Sequence, residues 1–431
     1  MSPELISILV LAVVFVIATT RSVNMGALAF AAAFGVGELV ADLDADGIFA
    51  GFPGDLFVVL VGVTYLFAIA RANGTTDWLV HASIRLVRGR VALIPWVMFF
   101  ITGALTAIGA VSPAAVAIVA PIALSFAARY GISPLLMGAM VVHGAQGGGF
   151  SPISIYGTIV NGIVERENLP GNEVALFLTS LIANLVIASV VFVLFGGLKL
   201  WRRPTGDTSD TADPGTDGSE AGGSETDPAL TPALTPARTA TLVALVALVV
   251  AVLAFDLDAG LTAVTLAALL SAVWPDDSRK AVTQIAWSTV LLICGVLTYV
   301  GVLDEMGTIT WAGEGVGDIG VPLLAALLLC YIGAIVSAFA SSVGIMGALI
   351  PLAVPFLAQG EIGAVGMIAA LAVSATVVDV SPFSTNGALV LAAAPDVDRE
   401  RFFRQLMIYG GIVVAVVPAA VWLVLVVPGF G

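Results

Sequence analysis

Charge is scarce in this chain of 431 residues: 11% are Asp, Glu, Lys or Arg, against 59% hydrophobic. A soluble protein of this length carries about 25% charged residues, so a soluble globular fold is excluded. Basic residues number 16 against 30 acidic ones, which leaves no electrostatic footprint for nucleic acid. Cysteine is nearly absent. Cys294 and Cys330 both fall in apolar runs, which argues against a disulfide or metal framework. The two histidines cannot complete a zinc site with them at any recognised spacing. No metal cluster, nucleophile–base pair or paired carboxylates appears in the pattern, so neither an enzyme nor a cofactor is expected. The first apolar run, Leu5 to Thr20, lacks a basic leading region and a cleavage site; it reads as a retained helix, not a signal peptide.

What is present is apolar sequence, with a mean hydropathy of +1.08. Runs long enough to cross a bilayer core of about 30 Å recur from end to end. The pattern predicts an all-α polytopic membrane protein. Between Pro204 and Pro228 the composition changes to Gly, Ser, Thr, Asp and Pro, which cannot bury a core and reads as a disordered linker or, alternatively, an acidic docking segment. The expected units are 1–201, a linker over 202–237, and 238–431.

Two apolar runs, about 91–129 and 320–358, are roughly twice the length of one crossing. Each is interrupted by small residues, around Gly109–Ala114 and Ala340–Gly344. Either two spans joined by a tight turn or a re-entrant hairpin fits that pattern. The basic residues favour hairpins. With ten crossings, two hairpins and both termini outside, every Lys and Arg except Arg166 is cytoplasmic, as is the linker. That matches the positive-inside rule for a plasma (inner) membrane protein.

The halves also resemble each other. At an offset of 230 positions, Ser112 falls on Ser342, Pro121 on Pro351, and Ser151–Gly157 ("SPISIYG") on Ser381–Gly387 ("SPFSTNG"). Upstream, Gly74–Trp78 matches Gly307–Trp311 at an offset of 233. Under the predicted topology these are inverted repeats, each with five transmembrane helices and one hairpin. Secondary transporters use such repeats to hold substrate at the midplane between broken helices. The predicted breaks lie in 133–163, at Gly144–Ser154, and in 362–395, at Asp379–Ser384, where proline and glycine interrupt the helix.

No Lys or Arg lies near either break in sequence. An anion there would be held by hydroxyls, amides, half-helix N-termini or co-bound cations. The candidate substrate ligands are Ser112, Pro113, Ser342, Gln146, Ser151, Ser154, Ser384, Thr385 and Asn386. The candidate ion-coupling residues are Gly148, Gly149, Ser341, Asp379, Ser381 and His143, with sodium or a proton as the coupling ion. Asp379 is the only carboxylate deep in an apolar run, which marks a functional group or else a cap on the following turn. His143 is a proton carrier or a structural histidine, and Gln146 a substrate donor or a loop tie.

These residues resemble the ion transporter superfamily, in particular the divalent anion/sodium symporters and the MatC-type malonate and dicarboxylate carriers. "AVSPAAVAIVAPIA" followed by "GGGFSPIS" looks like the first hairpin-and-break unit, and "SSVGIMGALIPLA" followed by "DVSPFSTNG" like the second. Sodium-coupled members carry Ser-Asn-Thr at each hairpin tip, whereas this chain has Ser112-Pro113-Ala114 and Ser342-Val343-Gly344. The serines carry over and the Asn and Thr do not, which shifts weight to Asp379. The resemblance implies a homodimer in the lipid bilayer that imports a small dicarboxylate by an elevator motion. The alternatives are a cation/proton or oxyanion exchanger, and the membrane subunit of a binding-protein-dependent carrier.

Overall fold

The computed structural model describes residues 2–21, 23–84, 90–201, 233–255, 257–309, 311, 322–338, 342–358, 362–395 and 397–430. Most of the expected linker (202–232), Arg85 and Arg88, expected on the cytoplasmic side, and Ser341, expected at the second hairpin tip, lie outside the described residues.

The described residues form α-helices joined by short turns, with no strand among them. The first half contains α1 (Pro3–Arg21), α2 (Met25–Leu39), the short α3 (Ala45–Ala50), α4 (Gly54–Ala72) and α5 (Thr75–Ile84). It continues with α6 (Ile94–Ala107), α7 (Ser112–Tyr130), α8 (Pro134–Gly148), α9 (Ile155–Arg166), α10 (Glu173–Leu194) and α11 (Gly197–Trp201). The second half contains α12 (Pro236–Phe255), α13 (Ala259–Val273), α14 (Pro275–Thr283) and α15 (Trp287–Glu305). After these come α16 (Pro322–Ser337), α17 (Ser342–Ala358), α18 (Ala364–Val377), α19 (Thr385–Ala393) and α20 (Arg399–Val421).

Six stretches are long and apolar enough to cross a membrane: α4, α7, α10, α12, α15 and 399–426, where α20 runs on into a π turn. Shorter apolar helices, among them α2, α6 and α18, accompany them. On α10, Val174, Leu178, Ile182, Val186 and Val190 are all exposed. Spaced four apart, they form one outward apolar stripe. A stripe of that kind is stable against lipid and costly against water. The protein is therefore a polytopic helical membrane protein.

Local sequence sets the helix ends. Asn24, Asp44, Ser133, Asn172, Asp258 and Asp398 each accept backbone N–H groups at a helix start, meeting donors left without a partner in the first turn. Gly109, at φ 115°, lets the chain turn between α6 and α7, a conformation that L side chains rarely adopt.

Small residues set the packing. α4 lies on α13 through Gly62 and Gly260, and α2 lies on α15 through Gly26 and Gly295. A Cβ at any of the four would strike backbone of the opposing helix. Close approach through small residues is how helices associate in a membrane, where lipid removes the hydrophobic drive. The two halves thus interlock pairwise. A third seam joins α6 to α8, with Gly144 against the Phe99 backbone and Gly148 against the Gly103 carbonyl.

This last seam corrects the expected extent of the first break. Gly144, Gly147 and Gly148 remain helical in α8, and the break is confined to 149–154. Gly144 and Gly148 admit a neighbouring helix instead of unwinding their own. The second break, 378–384, covers the expected Asp379–Ser384.

Helix bounds repeat at the offsets seen in sequence. α4 (54–72) and α15 (287–305) coincide at 233. α7 and α17, α8 and α18, and α9 and α19 each start 230 positions apart. Each short helix after a break packs on the other half's hairpin: α19 on α7, and α9 on α17.

Candidate functional site

The two breaks are built by one local motif. The Ser154 hydroxyl accepts the Gly157 N–H at 3.2 Å and shares its proton between the Ser151 and Gly149 carbonyls, at 2.7 and 2.5 Å. Ser384 does the same with Gly387, Ser381 and Asp379 at 3.2, 2.7 and 2.5 Å. The Gly157 N–H also reaches the Gly149 carbonyl, and the Gly387 N–H the Asp379 carbonyl. A Cβ at either glycine would fall on the Ser151 or Ser381 carbonyl. The shared Ser-Pro-x-Ser-x-x-Gly is therefore a folding motif: the second serine caps the next half-helix and the glycine admits the wide turn.

That assigns several predicted ligands to structure. Ser154 and Ser384 are buried caps, with their hydroxyls engaged by backbone. The Ser151 hydroxyl donates to the carbonyl of Ala107, the last residue of α6, and so ties the break to the hairpin. Ser381 accepts the Phe383 N–H at 3.3 Å. Gly149 lends its carbonyl to the turn, and Gly148 faces α6.

The remaining candidates converge. Asp379, at 6% exposure, receives the Ser342 hydroxyl on Oδ1 at 2.5 Å and the Gln146 amide on Oδ2 at 2.8 Å. Ser342 in turn accepts from Ser337 at 2.8 Å. Gln146 Nε2 also approaches Ser112 Oγ at 3.4 Å, and Asn386 Nδ2 donates to the same oxygen at 2.8 Å. One polar chain therefore runs Ser337–Ser342–Asp379–Gln146–Ser112–Asn386, drawing on both hairpin tips and both broken helices.

Two features of this chain bear on chemistry. Among the described residues Asp379 has no cationic partner; its bonds come from neutral donors. A carboxylate this deeply buried is costly unless a proton or a cation neutralises it. The Gln146 Oε1 and Asn386 Oδ1 atoms are buried without a hydrogen-bond partner. Amide and carboxylate oxygens are the ligands a hard cation such as sodium takes. Gln146, Asn386 and Asp379 are thus the residues that could hold one.

His143 lies apart from this network. Its Nδ1 pairs with Asn184 Oδ1 at 2.9 Å and its Nε2 with the Tyr409 hydroxyl at 2.6 Å. Both ring nitrogens are engaged, binding α8 to α10 and α20. Gln146 has a second structural bond, its carbonyl accepting from Ser180 at 3.0 Å.

A cavity of about 720 Å³ reaches this network. Pro113, Ser342, Asp379, Thr385 and Tyr156 line it, together with Thr64 and Phe67 of α4 and Asn24 of the α1–α2 turn. Arg71 lines it too. The sequence reading found no basic residue near the breaks; the fold brings one in from α4. Tyr156, Ser337 and Arg71 were all missed. Tyr156 had a signal, since it stands at Asn386 under the 230 offset. Arg71 had none, because only tertiary packing places it there.

The comparisons agree with this architecture. Residues 1–149 match a family profile described as the N-terminus of the dicarboxylate carrier protein MatC. A comparison with curated proteins finds no match. Among solved structures, the chain is similar to the YdaH transporter of Alcanivorax borkumensis, with a TM-score of 0.56 at 14% identity. The likeness covers 88% of this chain and 89% of that one, and at this identity it speaks for the fold alone.

Proposed function

We propose that the protein is a secondary active transporter of small dicarboxylates, of malonate or succinate size, coupled to sodium or protons through Asp379. The observation that carries this reading is the Ser112–Gln146–Asp379–Ser342 network. It joins both hairpin tips and both broken helices at the wall of one cavity. The profile match over 1–149 supports the substrate class.

The two halves act as inverted repeats, a reading supported by the coincident helix bounds and the crosswise packing of α9 and α19 on the opposite hairpins. The interlocked α2, α4, α13 and α15 form the fixed part. The hairpins, the broken helices, α10 and α20 carry the site past it as an elevator, in a homodimer. The cavity is walled by the start of α2, the end of α4 and the start of α15. Those are the ends the basic residues mark as cytoplasmic, so the protein faces inward, with the 202–237 linker inside and both termini outside.

Neutralising Asp379 is the coupling step. With a proton or sodium ion bound, the site admits an anion among Ser112, Pro113, Thr385 and Asn386. Without one, the carboxylate repels it. Uptake of labelled malonate and succinate into proteoliposomes under a sodium or a pH gradient tests the proposal. Absence of transport under both would sink it.

That Asp379 has only neutral hydrogen-bond donors among the described residues also favours a second reading, cation/proton exchange at Asp379. Sodium-driven proton movement in vesicles that contain no dicarboxylate would select it.

A further inference from the structure

Of the described residues lining the cavity, only Arg71 and Asp379 carry a formal charge. Asp379 lies at the helix break; Arg71 is exposed in the last turn of α4. A basic residue at a helix C-terminus and at a membrane's inner face has ordinary causes, the helix dipole and the positive-inside bias. Neither cause aims it into a cavity or leaves it unpaired. Among the described residues no hydrogen bond or ion pair engages the Arg71 guanidinium, whereas Arg166 and Arg238 are both bound to backbone carbonyls. The turn beyond it is held from the other half of the chain. Arg238 donates to the Asn73 carbonyl at 3.0 Å, and Asn73 donates to Thr241 at 2.8 Å.

We propose that Arg71 is the recruitment residue of the cavity, a fixed cationic contact that draws a carboxylate-bearing anion in from solution before it reaches the Ser112–Asp379 network. This rests on the reading of the protein as an anion carrier. Low-dielectric walls focus the field of a single charge and raise the local concentration of its counter-ion. Among the described residues Arg71 has no ion pair to surrender when the anion arrives. The effect is one-sided. At the offset of 233 that superposes α4 on α15, the counterpart of Arg71 is Asp304, so the opposite mouth carries an acid at that position.

The test uses the full-length protein with Ala114→Cys, which places a thiol on the cavity wall. Cys294 and Cys330 are buried, and their residual labelling is subtracted using the parent protein. Labelling rates are measured with an anionic and a cationic methanethiosulfonate reagent of similar size. With Arg71 present the anionic-to-cationic rate ratio is expected to be about tenfold higher than in R71Q, to fall as salt is raised, and to be kept by R71K. A ratio unchanged by R71Q, or insensitive to salt with Arg71 in place, overturns the proposal. Succinate uptake forms the second arm. R71Q should raise KM for succinate presented at the cavity side several-fold, with kcat retained. If the unmodified protein moves no dicarboxylate, the transport reading fails, and the labelling ratio still decides Arg71.

Discussion

Gln146 Nε2 lies 2.8 Å from Asp379 Oδ2, a bond between residues 233 positions apart in opposite halves of the chain. It bears on the proposed coupling role of Asp379, because the amide stabilises the ionised carboxylate. A hydrogen bond to a charged group contributes about 1.5–3 kcal/mol. With a proton as the coupling ion, Gln146→Ala is therefore expected to lower the proton concentration for half-maximal uptake by about tenfold or more, because losing the bond disfavours the ionised, unloaded carboxylate and 1.4 kcal/mol is tenfold at 25 °C. Asp379→Asn, which cannot ionise, should abolish the dependence on the driving gradient altogether. Uptake measured against sodium concentration and pH checks both, and an unaltered ion dependence in the Asn variant would remove Asp379 from the mechanism.

The serines divide into two groups that substitution separates. Ser154 and Ser384 are helix caps, so Ala at either position should cost about 1 kcal/mol of stability and leave the ion dependence in place. Ser342 donates to Asp379; Ser342→Ala should shift the ion dependence with a smaller change in thermal stability. Melting curves in detergent, paired with uptake assays, make the comparison. Equal effects of Ser384→Ala and Ser342→Ala on ion dependence would contradict the assignment.

How much of this was legible in sequence follows from the range of the forces involved. The membrane class and the paired interruptions are compositional and local, and could be read directly. The Ser-Pro-x-Ser-x-x-Gly match located both breaks, yet it suggested ligands where the structure has caps, because a serine that binds backbone and one that binds substrate look alike in a string. Gly147 and Gly148 looked like helix breakers. Both stay helical, and at Gly148 α6 packs against α8 closely enough to need glycine, which propensity alone cannot see. Arg71 reaches the cavity only through the packing of α4.

The α6–α8 seam gives a third expectation. A Cβ at Gly148 would overlap the Gly103 carbonyl and the Thr106 hydroxyl. Backbone cannot yield as a flexible side chain does, so Gly148→Val should destabilise by about 1–3 kcal/mol or more. Gly35, with open space around it, is the control: Gly35→Ala should leave the melting temperature near that of the parent. Similar losses in the two variants would mean that the seam is not closely packed.

His143 offers a contrast with Asp379. Both its nitrogens are paired, to Asn184 and Tyr409, and it touches none of the Asp379 network. His143→Gln is expected to lower thermal stability through the lost buried bonds, by about 1–3 kcal/mol, while the pH profile of transport stays where it was. A displaced profile would return His143 to the proton path.

The end of α9 carries its own pH signature. Arg166, at the end of α9, donates to the Gly51 carbonyl at 2.8 Å, tying the broken helix to the turn after α3. Beside it, half-burial holds the Glu167 carboxyl above the usual carboxylate range; the charge of Asp304 adds to the rise and Arg166 opposes it. A carboxyl whose value is raised on folding is more easily protonated in the folded protein than in the unfolded chain. Its contribution therefore opposes folding at neutral pH, and that opposition disappears as pH falls through the raised value towards the ordinary range. Glu167→Gln removes the titration. The variant should melt above the parent at neutral pH, and the two curves should converge on acidification. The measurement is thermal unfolding of both proteins across pH 4 to 8, and a difference that stays constant over that range would show that Glu167 is not the group that titrates there.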